Sequence, residues 1–387
     1  MQCLSVRVWL LLATVTLAVW SASAQTQYTT DGTPTGLEEE IRWRVNRGRF
    51  DTASENATRG TAYTDVPATA GPLAPNQSIT MAARHQSEDL AKANLFQHAT
   101  VPGSLFYNPT TQPNPWDRMT AEGYTWNAAG ENIAAGYSGA ETAYVGWWNS
   151  TGHRQNMYTS SLREIGNGYF LWTSATYRHY YTMDLGSSGT TCFLTDTAFR
   201  DANGNGVYEQ SEAVAGLAIR LRVGNVTHNY FDVSAGPGSF AIPLSPIASG
   251  ATVTVVLSNT TLASMTLSIP RDYRNYTTVV LAAGESRTLG TFIRAAGGNV
   301  GWRDVVPEQA GAPMATPRVN LARTGNSFTL SWNSTVGLEY QPQWSTDLAT
   351  WNVFTNTFRP GTGSNMVQLD TSAGGPRKFY RVFTRRP

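Results

Sequence analysis

The period of the apolar residues changes once along the 387-residue chain, and this change limits the possible folds more than any other feature. Upstream, Leu37 and Ile41 recur at helical spacing, directly after a Thr35 to Glu38 pattern that is typical of a capping box. Downstream of the Ser, Gly and Thr-rich segment 187–191, apolar and polar residues alternate, as they do in half-buried strands. A mixed α and β domain should therefore precede an all-β region, and the chain is too long for one compact domain.

The composition divides the chain further. A Gly, Ala and Pro-rich stretch separates two regions in which apolar residues alternate with polar ones, so two β modules are expected after the mixed domain. The predicted organisation is a signal peptide at 1–24, a mixed domain at 35–188, a β-sandwich module at 192–295, a linker at 296–317 and a C-terminal β module at 318–387.

A helix of the mixed domain begins at a second capping-box pattern, which ends in Glu141. We expect Glu141 to cap this helix and the helix to stop near Gly152. His153 would then lie in a polar loop. Of the two adjacent tryptophans that precede it, Trp147 should face the core and Trp148 should lie nearer the cleft or the surface.

The N-terminus has the form of a secretory signal peptide. Arg7 precedes an apolar run at 8–20, and a small-x-small sequence follows and ends at Ala24. The run is too short to cross a bilayer of roughly 30 Å as a helix, and no other run approaches the ~18 residues that a span requires. Cys3 would leave with the signal, so Cys192 would have no intramolecular disulfide partner. We therefore expect a soluble, exported protein without a transmembrane segment, which is secreted, periplasmic or at the cell surface and is stabilised by cores or ions.

The charge balance argues against a polyelectrolyte partner. The formal net charge is +1 and only 14% of residues are charged, so no basic patch for nucleic acid is expected. The 12 Trp, 17 Tyr and 14 Phe are enough for several cores and for aromatic surfaces that could hold carbohydrate or lipid.

Three residues of the mixed domain are candidates for chemistry if the fold brings them together. His98, Glu131 and His153 have the side chains that suit Zn²⁺, with a fourth position left for water, and such a water could act as a nucleophile. Without metal, Glu131 could orient a histidine and make it a general base, so Glu131 and His153 are the catalytic candidates. The alternative is a structural hydrogen-bond network without chemistry. No nucleophile elbow and no His-Glu-x-x-His motif is present in the sequence.

The order of these residues resembles the CAP superfamily, which comprises cysteine-rich secretory proteins, antigen 5 and pathogenesis-related proteins. The resemblance is closest to its short bacterial secreted branch and includes the segments 115–124, 164–169 and 181–186. It implies an α-β-α sandwich with an open cleft, where His98, Glu131 and His153 match the two histidines and the glutamate of the family.

The resemblance has a limit at the fourth corner of that cleft. Many eukaryotic members carry a second glutamate three residues after the helix tryptophan, where this sequence has Ser150. The family is associated with metal, sterol or lipid binding and only in part with proteolysis, and a fold does not dictate chemistry.

A calcium-loop pattern occupies residues 201–212. The segment matches the twelve-residue consensus, with Gly206 at the sharp turn and strand-like sequence rather than a second helix after the loop. The arrangement resembles the calcium-stabilised β modules of bacterial surface proteins, and a structural Ca²⁺ is expected between the domains. The predicted ligands are Asp201, Asn203, Asn205, the Val207 carbonyl, Glu209 and Glu212.

The predicted fold class is thus a multi-domain chain, with a CAP-like α-β-α sandwich followed by two all-β, sandwich-like domains. The last module faintly resembles fibronectin-type modules, and its tryptophans either pack in a core or form a glycan platform. Three functions stay open. The cleft binds a divalent metal and a lipid, sterol or peptide ligand; or it is a metal-dependent hydrolase; or the protein is adhesive or structural at a cell surface.

Overall fold

A computed structural model describes residues 27–107, 114–224, 226–272, 275–307, 317, 319–334, 339–348, 350–355, 357–371 and 378–385. The predicted signal peptide at 1–24 lies outside these residues, as does 308–316 of the predicted linker. In the first domain the helices are α1 (Gly36–Phe50), α2 (Thr52–Arg59), α3 (Gln77–Ala93), α4 (Pro115–Ala121), α5 (Ala140–Trp148) and α6 (Thr151–Tyr158).

The first domain is built on a four-stranded sheet. Its strands are β1 (Ala74–Pro75), β2 (Ala128–Ala135), β3 (Glu164–Leu171) and β4 (His179–Ser187), in the order β1-β3-β4-β2. β1 runs parallel to β3, and the other pairs are antiparallel. β2 is therefore an edge strand, with β4 on one side only.

Helices cover both faces of this sheet. On β4, Tyr181 and Met183 join a core with residues of α1, α5 and α6, whereas Tyr180 joins a core with residues of α3. The α3 layer lies very close to β3, because a Cβ added at Gly166 would fall 2.1 Å from the backbone nitrogen of Thr80. The layering is the one that the CAP resemblance implies.

The Thr35 capping box is confirmed at the start of α1. The Thr35 hydroxyl accepts from the backbone N–H of Glu38, and the Glu38 carboxylate accepts from the backbone N–H of Thr35 at 2.7 Å. This reciprocal pair satisfies two backbone donors that the helix leaves free. It fixes the start of the helix that also contacts the second domain.

The second domain consists of strands in three sheets. The strands are β5 (Phe193–Thr197), β6 (Leu217–Val223), β7 (Val226–Val233), β8 (Ser239–Pro243), β9 (Thr252–Asn259), β10 (Met265–Pro270), β11 (Tyr276–Leu281), β12 (Ser286–Ile293) and β13 (Val306–Pro307). The largest sheet has the order β13-β12-β9-β6-β7, and β10 pairs with β11 and β5 with β8. The alternating residues Leu217, Ile219 and Leu221 all enter one core, as their period predicts.

This domain continues past residue 295, into the region interpreted as a linker. Trp302 is fully buried in the core of the second domain, and its ring lies 4.7 Å from that of Phe240. β13 then pairs with β12. A Gly-rich composition does not exclude packing when a large aromatic residue follows within a few positions.

Helix α1 joins the first two domains. Trp43 of α1 packs edge-on against Phe199, at a ring distance of 6.1 Å, and against Tyr208 at 6.4 Å. The Arg42 guanidinium, which is paired with Glu39, donates to the backbone carbonyl of Asp196 at 2.9 Å. The contact therefore has an aromatic part and a buried polar part.

The C-terminal region is also β-structured. Its strands are β14 (Val319–Thr324), β15 (Ser327–Asn333), β16 (Glu339–Ser345), β17 (Asn352–Val353), β18 (Arg359–Pro360), β19 (Asn365–Asp370) and β20 (Phe379–Arg385). One sheet has the order β14-β15-β19, and β16 pairs with β17, β18 and β20. Trp332 is fully buried, whereas Trp344 and Trp351 are half-buried, with the cationic groups of Lys378 and Arg381 at 4.5 Å and 4.0 Å from their ring centroids.

Candidate functional site

Glu131 lies on the edge strand β2, and its carboxylate is held by an imidazole and a guanidinium. The His98 Nδ1 lies 2.7 Å from Glu131 Oε1, and the Arg118 guanidinium pairs with Oε2. The side chains of Glu131 and Arg118 are 1% and 0% exposed, whereas that of His98 is 54% exposed. A buried carboxylate therefore orients an imidazole that faces solvent.

Arg118 also fixes the loop that carries His98. Its guanidinium donates to the His98 carbonyl at 3.1 Å and to the Thr100 hydroxyl at 2.9 Å. From the other side, the Gln86 amide donates to the Gln97 carbonyl at 2.9 Å. Both the backbone and the ring of His98 are thus positioned before any ligand arrives, which is the condition for a precise site.

Asp184 of β4 is the fourth residue of this cluster, after Glu131, Arg118 and His98. It lies directly opposite Glu131 in the β2–β4 register and is fully buried. Burial, and next the charge of Glu131, raise the pKa of Asp184 well above its usual range. The protonated form of Asp184 is therefore favoured beside the Glu131 carboxylate, which Arg118 and His98 contact from the other side.

His153 lies in the first turn of α6, and not in a loop as the sequence suggested. α5 ends at Trp148, and α6 begins at Thr151, before the expected stop near Gly152. The Asn132 amide donates to the His153 carbonyl at 3.0 Å, which ties α6 to the edge strand. The adjacent positions 131 and 132 of β2 point to opposite faces, so β2 anchors both histidine segments.

The two histidines differ in their proton affinity. The hydrogen bond to Glu131 raises the pKa of His98. Burial lowers the pKa of His153, and the nearby charge of His98 lowers it further. Near neutral pH, His153 is therefore the more available lone-pair donor of the two.

The free edge of β2 is closed by side chains. Trp147 Nε1 donates to the Ile133 carbonyl at 3.0 Å, and the Asn156 amide donates to the Glu131 carbonyl at 3.2 Å. Asn156 thus braces the backbone of β2. A ligand cannot pair with β2 as an added strand at these two positions without displacing the side chains.

An apolar pocket of about 250 Å³ opens beside His153. The exposed rings of Phe96, Tyr137 and Tyr177 form its rim, and Ile133 and Trp147 are among its deeper residues. Aromatic rings that stay exposed around a concave surface are a common sign of ligand binding. His153 lines this pocket, and its backbone carbonyl accepts from Asn132, the neighbour of Glu131 on β2.

Three other expectations for this domain need correction. Trp148 is fully buried against Tyr63 and Tyr158, and does not lie near the cleft or the surface. Gly139, not Ser138, is the N-cap of α5, and it has no side chain to bond. Glu141 does not cap the helix, because its carboxylate pairs with Arg44 and Arg59.

His85 and His179 have ordinary partners. His85 Nε2 lies 3.3 Å from a Glu122 oxygen, and His179 Nδ1 lies 2.8 Å from the Tyr169 hydroxyl. Neither ring pairs with Glu131, Arg118 or Asp184. They are useful as matched controls for the cleft histidines.

The calcium-loop segment folds into a tight turn at the boundary with α1. Both Asp201 oxygens accept backbone N–H groups of the loop, from Asn205 at 3.1 Å and Gly206 at 3.0 Å. The amides of Asn203 and Asn205 each donate to Glu209. All these polar side chains therefore face one another within the turn.

Glu212 closes the loop with one oxygen unused. Its Oε1 accepts from the Ala202 N–H at 2.7 Å, while its Oε2 is buried without a hydrogen-bond partner among the described residues. Nearby, Tyr208 inserts against Trp43 of α1. Since a buried carboxylate oxygen without a partner is unfavourable, it is the atom that a cation would stabilise most.

Within the described ranges, no three His, Cys, Asp or Glu side chains are grouped so that they could hold a metal ion. The predicted three-ligand zinc set of His98, Glu131 and His153 therefore stays a prediction, as does the calcium loop, whose donors include amides and a carbonyl. In the same described part of the chain, no helix combines the length and the apolar character that a membrane crossing requires.

Sequence reasoning missed Arg118 and Asp184, although both lie in segments that it singled out. The sequence shows Arg118 within 115–124 and Asp184 within 181–186, but it does not show that either side chain is buried. The sequence also could not show that both residues lie beside Glu131, because this depends on the strand register and on the position of α4. The site is thus a buried Glu131–Asp184–Arg118 cluster with His98 at its surface.

Residues 44–185 match the family model described as "CAP: Cysteine-rich secretory protein family", which confirms the resemblance over less than half of the chain. The chain is 33% identical over 106 residues to "Uncharacterized protein YkwD" of Bacillus subtilis (strain 168), covering 26% of this chain and 38% of that protein. It is 32% identical over 111 residues to "Uncharacterized membrane protein YlbC" of the same organism, covering 28% and 27%. The chain thus spans less than two-fifths of the length of either relative.

Among solved structures, an extracellular protein containing a SCP domain from Bacillus anthracis str. Ames is 24% identical. The match covers 40% of this chain and 41% of the Bacillus anthracis protein, with a TM-score of 0.29. An outer surface protein from Borrelia burgdorferi is 14% identical. The match covers 38% of this chain and 90% of the Borrelia protein, with the same TM-score of 0.29. At such scores the likeness carries no argument about function.

Proposed function

We propose that this is an exported protein whose first domain binds a divalent cation between His98 and His153, next to a small apolar ligand. The observation that carries the proposal is the orientation of His98 by the buried Glu131. With Nδ1 bonded to the carboxylate, Nε2 is left for a ligand in the cleft. Histidine ligands of metals are generally oriented in this way by a carboxylate.

Glu131 acts in this proposal as a positioning residue and not as a ligand. One of its oxygens is paired with the buried Arg118 and the other with His98, so direct coordination would require one of these bonds to break. Water or a bound ligand would complete the coordination of the ion. The hydrolase alternative receives less support, since Glu131 is not free to act as a base.

Zinc content tests the metal part. Protein dialysed against Zn²⁺ at neutral pH should retain the ion, and the double variant His98→Ala/His153→Ala should lose it. The control, His85→Ala/His179→Ala, removes the same number of imidazoles away from the cleft and should retain zinc. Equal zinc in all three proteins would remove the proposal.

The pocket beside His153 is proposed to hold the apolar part of a lipid, a sterol or a peptide side chain. Its aromatic rim and its volume of about 250 Å³ fit a chain or a ring rather than a folded partner. Gly146 lines the pocket, and a Cβ there would meet the hydroxyl of Tyr137 at 2.5 Å. Because that hydroxyl is the end of a side chain that can swing, a larger residue at 146 should close the pocket without disrupting α5.

A fluorescent fatty acid is a suitable probe for this pocket. Gly146→Leu should weaken its binding, whereas Gly152→Leu on α6, where a Cβ meets nothing within 4 Å, should not. Binding that is unaffected by Gly146→Leu would place the ligand elsewhere.

We further propose that residues 201–212 bind Ca²⁺ and stabilise the junction of the first two domains. The support is the buried, unpartnered Oε2 of Glu212, in a loop that packs through Tyr208 on α1. Calorimetry should show Ca²⁺ binding that is lost in Glu212→Gln and kept in Glu285→Gln, which changes a more exposed acid of the same domain. A thermal stability that is the same with and without a chelator would contradict the structural role.

A further inference from the structure

A cavity of about 620 Å³ lies at the boundary of the first two domains, apart from the histidine cleft. Its first-domain wall includes Trp43, Phe50 and the segment 69–72, and its second-domain wall includes Asp196 and the segment 297–304. The volume lies within the range of about 300–1,000 Å³ that small-molecule sites occupy.

Hydrogen bonds of Asn299 tie the two walls of the cavity to each other. The Asn299 amide donates to the Pro72 carbonyl at 2.8 Å and to the Arg163 carbonyl at 2.6 Å, and its side-chain oxygen accepts from the Phe193 N–H at 2.9 Å. On the second domain, the indole of Trp302 donates to the Thr197 carbonyl at 3.3 Å. The cavity is therefore formed before any ligand binds.

Arg303 is the unusual residue of this cavity. Its guanidinium lies 4.0 Å from the ring of Phe50, and its Nε is buried without a hydrogen-bond partner in the described part of the chain. No ion pair of Arg303 is formed with the described residues either. Burial lowers the pKa of Arg303, so a negative group beside it would be favourable.

Two carboxylates face the same cavity without pairing with Arg303. Asp196 accepts backbone N–H groups of Thr197 and Trp302, and Asp304 Oδ2 accepts the Gly301 N–H at 2.8 Å. Burial raises the pKa of Asp304, which a positive group beside it would reverse. The cavity therefore presents one positive and two negative side chains that are close but separate, with Arg47 and Tyr276 as the further charged or titratable groups around Arg303.

We propose that this cavity binds a small zwitterionic molecule, an α-amino acid or a dipeptide, whose carboxylate pairs with Arg303 and whose ammonium group lies beside Asp304 and Asp196. A simple anion would satisfy Arg303 but would be repelled by both aspartates. A simple cation would leave the guanidinium unpaired. A molecule that carries both charges fills the gap between the two kinds of group, and a guanidinium binds a carboxylate through paired hydrogen bonds.

Titration calorimetry on the whole mature chain tests this proposal. The probe is L-alanyl-L-alanine, with its N-acetylated form and its C-terminal amide as controls that each lack one charge. The unmodified dipeptide should bind, and each capped form should bind at least about tenfold more weakly, because one charge-assisted contact is lost. No binding of the dipeptide at about 20 mM, or equal binding of a capped form, would overturn the proposal.

Two variants place the binding in this cavity. Arg303→Gln removes the positive charge, and Gly297→Leu adds bulk at a lining position where a Cβ meets nothing within 4 Å. Both should weaken dipeptide binding at least about tenfold, whereas Arg287→Gln, on an exposed arginine of the same domain, should not. If Arg303→Gln fails to fold, Gly297→Leu decides alone. Binding that survives Gly297→Leu would refute the assignment.

Discussion

Replacing Arg118 with methionine is the sharpest test of the buried cluster. The change keeps an unbranched side chain but removes the guanidinium, and with it the pairing with Glu131 and the hydrogen bonds to His98 and Thr100. The carboxylate of Glu131, which is 1% exposed, would then lie beside Asp184 with His98 as its only charged partner.

The expected loss is large. Removing one partner of a buried ion pair destabilises a protein by about 3–5 kcal/mol, because the other charge stays buried without compensation. Since a domain has a total free energy of unfolding of about 5–15 kcal/mol, this loss is a substantial part of it. The double variant Arg118→Met/Glu131→Gln should be more stable than Arg118→Met, because no uncompensated charge is left.

Urea denaturation followed by circular dichroism measures these differences from the transition midpoints. Arg287→Met is the matched control. That arginine is half-exposed and pairs with Glu285, so its loss should change the free energy of unfolding by at most about 1 kcal/mol. If Arg118→Met is no more destabilising than this control, the cluster does not depend on the pairing of Arg118 with Glu131.

Other expectations follow from single contacts. Trp148→Ala should lower the free energy of unfolding by about 3–5 kcal/mol in the same assay, because the ring is fully buried, whereas Tyr177→Ala on the pocket rim should change it by less than about 0.5 kcal/mol. The raised pKa of His98 should stabilise the fold fully below pH ~6.5, and this contribution should disappear as the pH rises through the raised pKa. A pH series that compares the wild type with Glu131→Gln measures it, and a constant difference would contradict it. Asn299→Ala should accelerate proteolysis at the domain boundary, since hydrogen bonds to both domains are lost. An unchanged rate would mean that the boundary does not depend on the hydrogen bonds of Asn299.

Local patterns predicted the elements well. The helical spacing after Thr35 and the alternation along β6 both correspond to the observed structure, because each depends on neighbours within a few residues. The second capping box was wrong for a physical reason. The Glu141 carboxylate forms ion pairs with Arg44 and Arg59 on other helices, and these replace the weaker hydrogen bond to the backbone of its own helix.

The site was predictable in part. The order of the motifs brought His98 and Glu131 together, as the hydrogen bond between them shows. Asp184 was not predictable, because only the β2–β4 register places it opposite Glu131. The burial of Trp148 was missed for a similar reason, since it depends on the distant Tyr63.

The position of α1 also decides where this chain can be divided. A fragment that ended at residue 188 would keep the histidine cleft but would leave Trp43 and the Arg42–Glu39 pair facing water, because their cover comes from residues 195–208. For a biochemist who wishes to express the cleft by itself, the natural cut therefore lies beyond β13, after residue 307, and not at the end of the family match.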